Sequence, residues 1–104
     1  MVRYKMDSGG IVDTENATAS WKEKQRHNGN NWISLATGSQ WEHETLYRSR
    51  KGRYWKEHRS QYQGSTPFAE WVSNRDALAW LLVCEYDNDE IPEELQKIEE
   101  EVSE

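Results

Sequence analysis

Polar and apolar residues alternate in stretches between residues 18 and 72, and the spacing then changes to that of helices. The longest alternating stretch, from Gln40 to Gln63, is rich in rings and charges rather than aliphatic side chains. After Ser73 the apolar residues recur at intervals of three and four, as in an amphipathic helix. The pattern predicts an α+β fold: an antiparallel sheet of two hairpins and a short strand, followed by two helices packed on one side.

The stretch from Gln40 to Gln63 predicts a central hairpin that turns at Lys51-Gly52, because a short loop with glycine between two alternating runs is typical of hairpins. With a two-residue turn, one face of this hairpin carries most of the rings and two histidines. The predicted pairs on that face are Ser49/Tyr54, Tyr47/Lys56, Thr45/His58, His43/Ser60 and Trp41/Tyr62. The pairs on the other face are Arg48/Trp55, Leu46/Glu57 and Glu44/Arg59.

Residues 18–37 predict another hairpin, because Asn28-Gly29 lies between two weakly alternating runs. A three-residue loop that ends at Asn30 places Trp21 on the face of the aliphatic Ile33, whereas a two-residue loop places lysines there. Since the longer loop buries Trp21 with aliphatic side chains, it gives the predicted register.

Residues 1–17 show little periodicity and predict a mobile arm with a short strand around Ile11-Val12. A chain of 104 residues suffices for one modest core. We therefore expect residues 18–104 to form a single domain.

Ser73 predicts the start of the first helix, because its side chain can cap the free N–H groups and Asp76 occupies the third helical position. The helix is predicted to run from Asn74 to about Tyr86, after a short strand at Ala69–Val72. Its predicted apolar stripe is Ala77, Trp80, Leu81 and Cys84, widened by Leu78, Leu82 and Val83.

Pro92 predicts the start of a second helix, since proline is tolerated in a first helical turn. Leu95, Ile98 and Val102 form its narrow apolar stripe, and its other residues are mostly acidic. We expect this helix to fray after Glu100.

The net charge of −6 conceals two opposed blocks. Residues 48–59 contain six basic residues and one acid, whereas residues 85–104 contain ten acids and one base. The mean hydropathy of −1.12 is typical of disordered chains. Six tryptophans and five tyrosines, however, can bury a large area each. The composition therefore favours a tryptophan-rich domain with a basic hairpin and an acidic C-terminal helix.

Cys84 is the only cysteine, so no disulfide can form within the chain, which is typical of a reducing cytoplasm. The N-terminal residues lack the apolar run of a signal peptide, and no segment approaches the roughly 20 apolar residues of a membrane span. We expect a cytoplasmic protein without a membrane partner.

Catalytic and metal motifs are weak in this chain. There is no glycine-rich phosphate loop and no Gly-x-Ser-x-Gly elbow. Hydrolysis through His58 and Ser60 would need an acid to orient the imidazole, and Glu57 points to the opposite face of the strand. His43 and His58 are predicted diagonal neighbours, but they lack thiol partners for zinc. We expect no enzymatic activity, no metal and no cofactor.

Four segments in the second half of the chain form a distinctive set: LYRSRKGRY at 46–54, SQYQGS at 60–65, AEWV at 69–72 and ALAWLL at 77–82. They resemble a group of small uncharacterised bacterial proteins found in genomes with plasmid- and phage-derived islands. The group has no known biochemical activity. The resemblance therefore implies a mobile-element context and supports the fold rather than a function.

The basic central hairpin is the candidate binding surface. Trp, Tyr and Arg are enriched at the hot spots of protein interfaces, so we expect a protein partner, in an interaction or inhibitor role. Nucleic acid, held through phosphates and stacked bases, is the alternative, and an uncovered sheet edge would allow a homodimer. The predicted binding residues are Arg48, Arg50, Lys51, Arg53, Tyr54, Trp55 and Arg59.

Overall fold

The computed structural model describes residues 3–6 and 9–102 of the chain. Within them the predicted α+β fold is confirmed, since antiparallel strands precede two C-terminal helices. The strands are β1 (Arg3–Lys5), β2 (Ile11–Asp13), β3 (Ala19–Lys22), β4 (Gln25–His27), β5 (Trp32–Ser34), β6 (Glu42–Arg48), β7 (Tyr54–Ser60) and β8 (Phe68–Val72). The helices are α1 (Asn74–Val83) and α2 (Glu93–Val102), with short 3₁₀ turns at Thr14–Asn16 and Asn88–Glu90.

A four-stranded antiparallel sheet with the strand order β3-β6-β7-β8 forms the centre of the molecule. Strands β6 and β7 are the predicted central hairpin, and β8 is the predicted short strand, beginning one residue earlier at Phe68. Strand β3 pairs with β6, where Trp21 lies opposite Leu46, and not with the following segment as predicted. The chain leaves the sheet after Lys22, and β4 and β5 form a separate hairpin.

The predicted three-residue loop of the β4–β5 hairpin is wrong. Arg26 lies opposite Ile33, and the N–H of Asn28 donates to the carbonyl of Asn31 at 3.0 Å, which leaves a two-residue loop over 29–30. The side-chain oxygen of Asn28 accepts hydrogen bonds from the backbone N–H groups of Asn30 and Asn31, at 3.0 and 2.9 Å. Such local bonds stabilise the turn. Trp21 is half-buried, but through its place on β3 rather than beside Ile33.

The predicted two-residue turn of the central hairpin is also wrong. The N–H of Ser49 donates to the carbonyl of Arg53 at 2.7 Å, so three residues, 50–52, form the loop. The N–H of Gly52 donates back to the carbonyl of Ser49 at 3.0 Å. Gly52 has a φ of 87°, the left-handed conformation that closes a three-residue hairpin loop.

This one-residue change of register exchanges the faces of β7, because side chains alternate along a strand. Trp55 stacks on Tyr47 with ring centroids 4.3 Å apart, while Tyr54 lies on the opposite face, in the core beneath the helices. The observed pairs are Glu42/Ser60, His43/Arg59, Glu44/His58, Thr45/Glu57, Leu46/Lys56, Tyr47/Trp55 and Arg48/Tyr54.

Helices α1 and α2 cover one face of the sheet. Ser73 caps α1 as predicted, since its hydroxyl accepts the N–H of Asp76 at 3.1 Å. The helix ends at Val83 rather than near Tyr86, because Glu85 adopts a left-handed φ of 62°. The buried core on this face comprises Leu46, Tyr54, Ala77, Leu78, Trp80, Leu81, Cys84, Ile91 and Leu95.

Two predicted core residues of α1 are exposed. Leu82 and Val83 are 43% and 54% exposed. The side of α1 that packs on the sheet consists of Ala77, Leu78, Trp80, Leu81 and Cys84. In α2, Leu95 is buried and Ile98 is packed against the core as predicted. The side chain of Val102 lies outside the described part of the structure.

The N-terminal segment covers the other face of the sheet, so the predicted mobile arm is a packed hairpin in its described part. Tyr4 of β1 lies opposite Val12 of β2. Met6 and Val12 are 2% and 5% exposed and pack against Trp55 of β7. The burial of these apolar side chains against an aromatic ring holds the segment in place.

The molecule is a flat slab of 40 × 38 × 20 Å, with the four-stranded sheet between the helices and the N-terminal hairpin. The loop 50–52 lies at one end of the sheet, and the start of β6 lies at the other. Neither helix in the described residues has the length and apolar character that crossing a membrane requires.

Candidate binding site at the tip of the central hairpin

A cavity of about 450 Å³ lies between the tip of the central hairpin and the N-terminal hairpin. Its lining comes mainly from residues 9–13, 49–51 and Arg53, with Trp55 and Trp71 contributed by the sheet. We call it the tip cavity. Its size falls within the range of small ligand sites. Four of the predicted binding residues line it: Arg50, Lys51, Arg53 and Trp55.

The charge of the tip cavity comes from three cations. Arg50 and Lys51 are exposed, and neither forms an ion pair with another residue that the structure describes. The guanidinium carbon of Arg53 lies 3.9 Å from the centroid of the Trp71 ring, which orients the charge without neutralising it. One acid, Asp13, also lines the cavity, and its carboxylate accepts the N–H of Glu15 at 2.9 Å. The lining is therefore net positive.

A stack of rings supports the cavity from below. Besides the Tyr47–Trp55 stack, the Tyr4 ring centroid lies 6.2 Å from that of Trp55. The Tyr4 hydroxyl donates to Oε2 of Glu57 at 2.6 Å, and burial together with this bond raises the pKa of Tyr4. The tyrosine stays neutral as a result, and the rings provide a fixed aromatic floor.

Trp71 carries an unused hydrogen-bond donor. Its Nε1–H is buried and has no partner among the residues that the structure describes. The adjoining indole edge lies beside Gly10, where an added Cβ would be 3.8 Å from Cζ2 of Trp71. Gly10 and Trp71 both line the tip cavity. A buried donor without an acceptor costs about 1–3 kcal/mol.

The remaining predicted binding residues are engaged elsewhere. The Nε of Arg48 donates to Oε1 of Glu94 at 3.0 Å, and this bond raises the pKa of Arg48 and lowers that of Glu94. The buried Tyr54 donates to the same oxygen at 2.6 Å. Arg59 lies nearer the other end of β7, with its Nε 3.5 Å from Oε1 of Glu57. None of the three lines the tip cavity.

Tyr54 and Trp55 are 0% and 1% exposed, so Tyr54 offers a partner no surface and Trp55 can contribute only through the wall of the tip cavity. Sequence reasoning also missed Trp71 and the wall formed by residues 9–13. One signal could have found that wall: Gly9-Gly10 between two segments with apolar residues is a hairpin signal.

A second charged cluster connects α1 to the sheet. Nδ1 of His58 lies 3.0 Å from Glu44, and its Nε2 lies 3.0 Å from Glu70. Glu44 also accepts the Nε1–H of Trp80 at 3.0 Å. The hydrogen bond to Glu44 raises the pKa of His58, although burial opposes it. Because carboxylates engage both ring nitrogens, His58 has no free nitrogen with which to activate Ser60.

His43 lies on the opposite face from His58, so the two are not the neighbours predicted from the two-residue turn. Nδ1 of His43 lies 2.7 Å from Oε2 of Glu23. In the part of the chain that the structure describes, no group of three or more His, Cys, Asp or Glu residues could hold a metal ion.

The tip cavity combines cations with an aromatic floor, a set that suits an anionic group joined to an apolar one. Comparisons of the chain with family models, with curated proteins and with solved structures find no match.

Proposed function

We propose that this chain is a non-enzymatic binding protein that captures a short acidic segment of a protein partner in the tip cavity. The convergence of Arg50, Lys51 and Arg53 around this cavity is the observation that supports the proposal most. A glutamate or aspartate side chain would accept hydrogen bonds from the guanidinium groups. A neighbouring apolar side chain of the partner would contact Trp71, as aromatic residues do at interface hot spots.

The surroundings of the tip favour a short acidic segment over nucleic acid, which is the alternative. Outside the tip cavity, three other basic residues of the central hairpin are paired with acids: Arg48 with Glu94, Lys56 with Glu44, and Arg59 with Glu57. The acidic helix α2 contacts the hairpin just below its turn, through Glu94. Binding to nucleic acid relies on many phosphate contacts, and the nearby carboxylates oppose them.

Fluorescence anisotropy with a short labelled peptide of glutamate and leucine tests the proposal. We expect the peptide to bind the wild-type protein and to lose at least about tenfold in affinity for the Arg50→Glu/Arg53→Glu variant, because two charge-assisted contacts become repulsive. The circular dichroism spectrum should remain that of the wild type, since both side chains are exposed.

The control variant is Arg26→Glu/Arg75→Glu, which has the same net charge. Both arginines are exposed and lie outside the tip cavity, so we expect wild-type affinity. Unfolding of the Arg50→Glu/Arg53→Glu variant would show that the tip charges are structural. Tighter binding of a labelled single-stranded oligonucleotide would favour the nucleic-acid alternative, and failure to bind the peptide would overturn the proposal.

We further propose that the protein acts in the cytoplasm of a bacterium that carries mobile elements. The fully buried thiol of Cys84, whose pKa burial raises, is in keeping with a reducing compartment. The resemblance of the hairpin and of α1 to small proteins from such genomes supports the context. An affinity pull-down from that host, with the Arg50→Glu/Arg53→Glu variant as the negative control, would identify the partner.

A further inference from the structure

A second cavity, of about 390 Å³, lies at the end of the sheet opposite the tip. The start of β6, the end of β7 and the loop before β8 surround it. Because the seven residues of β6 separate the two ends of the sheet, this cavity lies about 20 Å from the loop 50–52. Two exposed rings, Tyr62 and Phe68, line this cavity, and the exposed Trp41 lies beside Tyr62. We call it the aromatic cavity.

All three rings are exposed: Trp41 lies beside Tyr62, and Tyr62 and Phe68 line the same cavity. Trp41, Tyr62 and Phe68 are 43%, 55% and 55% exposed. The Trp41 and Tyr62 ring centroids are 6.1 Å apart, and the Trp41 carbonyl accepts the N–H of Gln61 at 2.8 Å. Phe68 stacks on His58 with centroids 4.5 Å apart and an angle of 11° between the ring planes. Exposed apolar patches of this kind mark binding surfaces.

Unused polar groups line the same cavity. The carboxylate of Glu42 and the hydroxyls of Tyr62, Ser65 and Thr66 form no hydrogen bond with another residue in the described ranges. Nε2 of His43 is buried and also lacks a partner there. These groups include both donors and acceptors, and they stand beside rings rather than in a separate polar region.

We propose that the aromatic cavity binds a neutral sugar. A sugar ring has C–H groups on its faces, and the face of an aromatic ring carries the partial negative charge that suits them. Its hydroxyls both donate and accept, which matches the carboxylate of Glu42 and the hydroxyls of Ser65 and Thr66. The volume of the cavity is that of a site for a small ligand.

Other ligands fit these residues less well. An apolar protein segment would cover Ser65 and Thr66 without giving their hydroxyls partners, which is unfavourable. A phosphate chain would meet the carboxylates of Glu42 and Glu44, while the cation that lines the cavity, Arg59, is already near Glu57. A neutral ligand with many hydroxyls avoids both costs.

Nuclear magnetic resonance titration of the full chain with maltohexaose, cellohexaose and chitohexaose tests the proposal. With at least one sugar we expect shifts of the Trp41 indole and of the backbone N–H groups of Ser65 and Thr66, and no shift of the Trp71 indole in the tip cavity. Tyr62→Ala and Phe68→Ala should each weaken binding about five- to tenfold, because each removes one stacking face.

Trp32→Ala is the matched control, because Trp32 is an aromatic residue that is 59% exposed and lies outside the aromatic cavity. We expect it to bind the sugar as the wild type does. The proposal is overturned if no sugar shifts these resonances at millimolar concentration, or if binding survives both alanine substitutions. It is equally overturned if the resonances shift only when a single-stranded oligonucleotide is added, or only when the protein concentration is raised. Sugar binding at the aromatic cavity can be present or absent whether or not the tip cavity binds the acidic peptide.

Discussion

Gly52 adopts a left-handed φ of 87° in the loop 50–52, where a Cβ would lie 3.2 Å from Nη2 of Arg48. We expect Gly52→Ala to lower the free energy of unfolding by about 1–2 kcal/mol, because an L-residue with a side chain is strained there. Gly52→Asn should cost less, since asparagine tolerates this conformation. Urea denaturation measures both, and equal stability of Gly52→Ala and the wild type would contradict the prediction.

His58 gives the protein a pH-dependent contribution to stability. Its hydrogen bond to Glu44 raises its pKa above 6.5 in the folded state. A raised pKa means that the stabilisation is fully present below pH 6.5 and is lost as the pH rises through the folded-state pKa. We expect the stability advantage of the wild type over His58→Gln to shrink across that range.

Urea denaturation of both proteins at a series of pH values from 5.5 upward measures this difference. Glu44 stays ionised throughout the series: burial would raise its pKa, but the hydrogen bond from His58 and the charge of Lys56 outweigh burial and lower it. His27→Gln is the control, because His27 is exposed and lies outside this cluster. A stability difference that does not change with pH would show that the His58 charge contributes nothing.

At the scale of elements, the hairpin of β1 and β2 is a structural part of the fold rather than an appendage. Met6 is 2% exposed against Trp55, so we expect Met6→Ala to lower the free energy of unfolding by about 2–5 kcal/mol. Ile11→Ala in the same hairpin should change it by less than about 0.5 kcal/mol, because Ile11 is 62% exposed. Thermal or urea unfolding compares them, and similar losses would argue against this packing.

The helices could be predicted closely because their signals are local. Ser73 and Pro92 each mark a helix start within a residue, and spacings of three and four identify the buried side of α1. The end of α1 could not be predicted, because it depends on the left-handed backbone of Glu85, a residue type that seldom adopts it.

Strand pairing could be predicted only in part, because loop geometry and distant partners decide it. Hydrophobic alternation located the central hairpin, but the conformation of Gly52 sets its loop at three residues and reverses the faces of β7. Similarly, hydrogen bonds to the side chain of Asn28 fix the turn of the β4–β5 hairpin and with it the register. Strand β3 joins β6 across the intervening residues 23–41, and no local pattern specifies that choice.

The candidate site, too, could be predicted only in part. The cations of the tip could be predicted, because charge density is visible along the chain, and Arg50, Lys51 and Arg53 do converge on one cavity. Their aromatic partner could not, because the stacking of Arg53 on Trp71 depends on the register of β7 and on its pairing with β8.

At the scale of the whole molecule, opposite charges meet where α2 contacts the central hairpin. Glu94 neutralises Arg48 next to the basic tip. We expect Glu94→Gln to raise the affinity of the tip for the acidic peptide about threefold, because it removes a nearby negative charge and releases Arg48. Peptide anisotropy at low salt measures this change. Glu100→Gln, at the exposed far end of α2, should have little effect, and equal gains from both variants would indicate a general charge effect.

The place of β3 in the sheet has a consequence for the order of folding. Strands β6, β7 and β8 are neighbours both in sequence and in the sheet, whereas β3 reaches β6 only after residues 23–41 have been ordered. Closing this longer loop costs more entropy, so we expect β3 to join the sheet late. Stopped-flow kinetics should then show that Trp55→Phe slows refolding, whereas Trp21→Phe mainly accelerates unfolding. The strand that joins last would also detach first, which makes the segment from β3 to β5 the first site of proteolysis in the native protein.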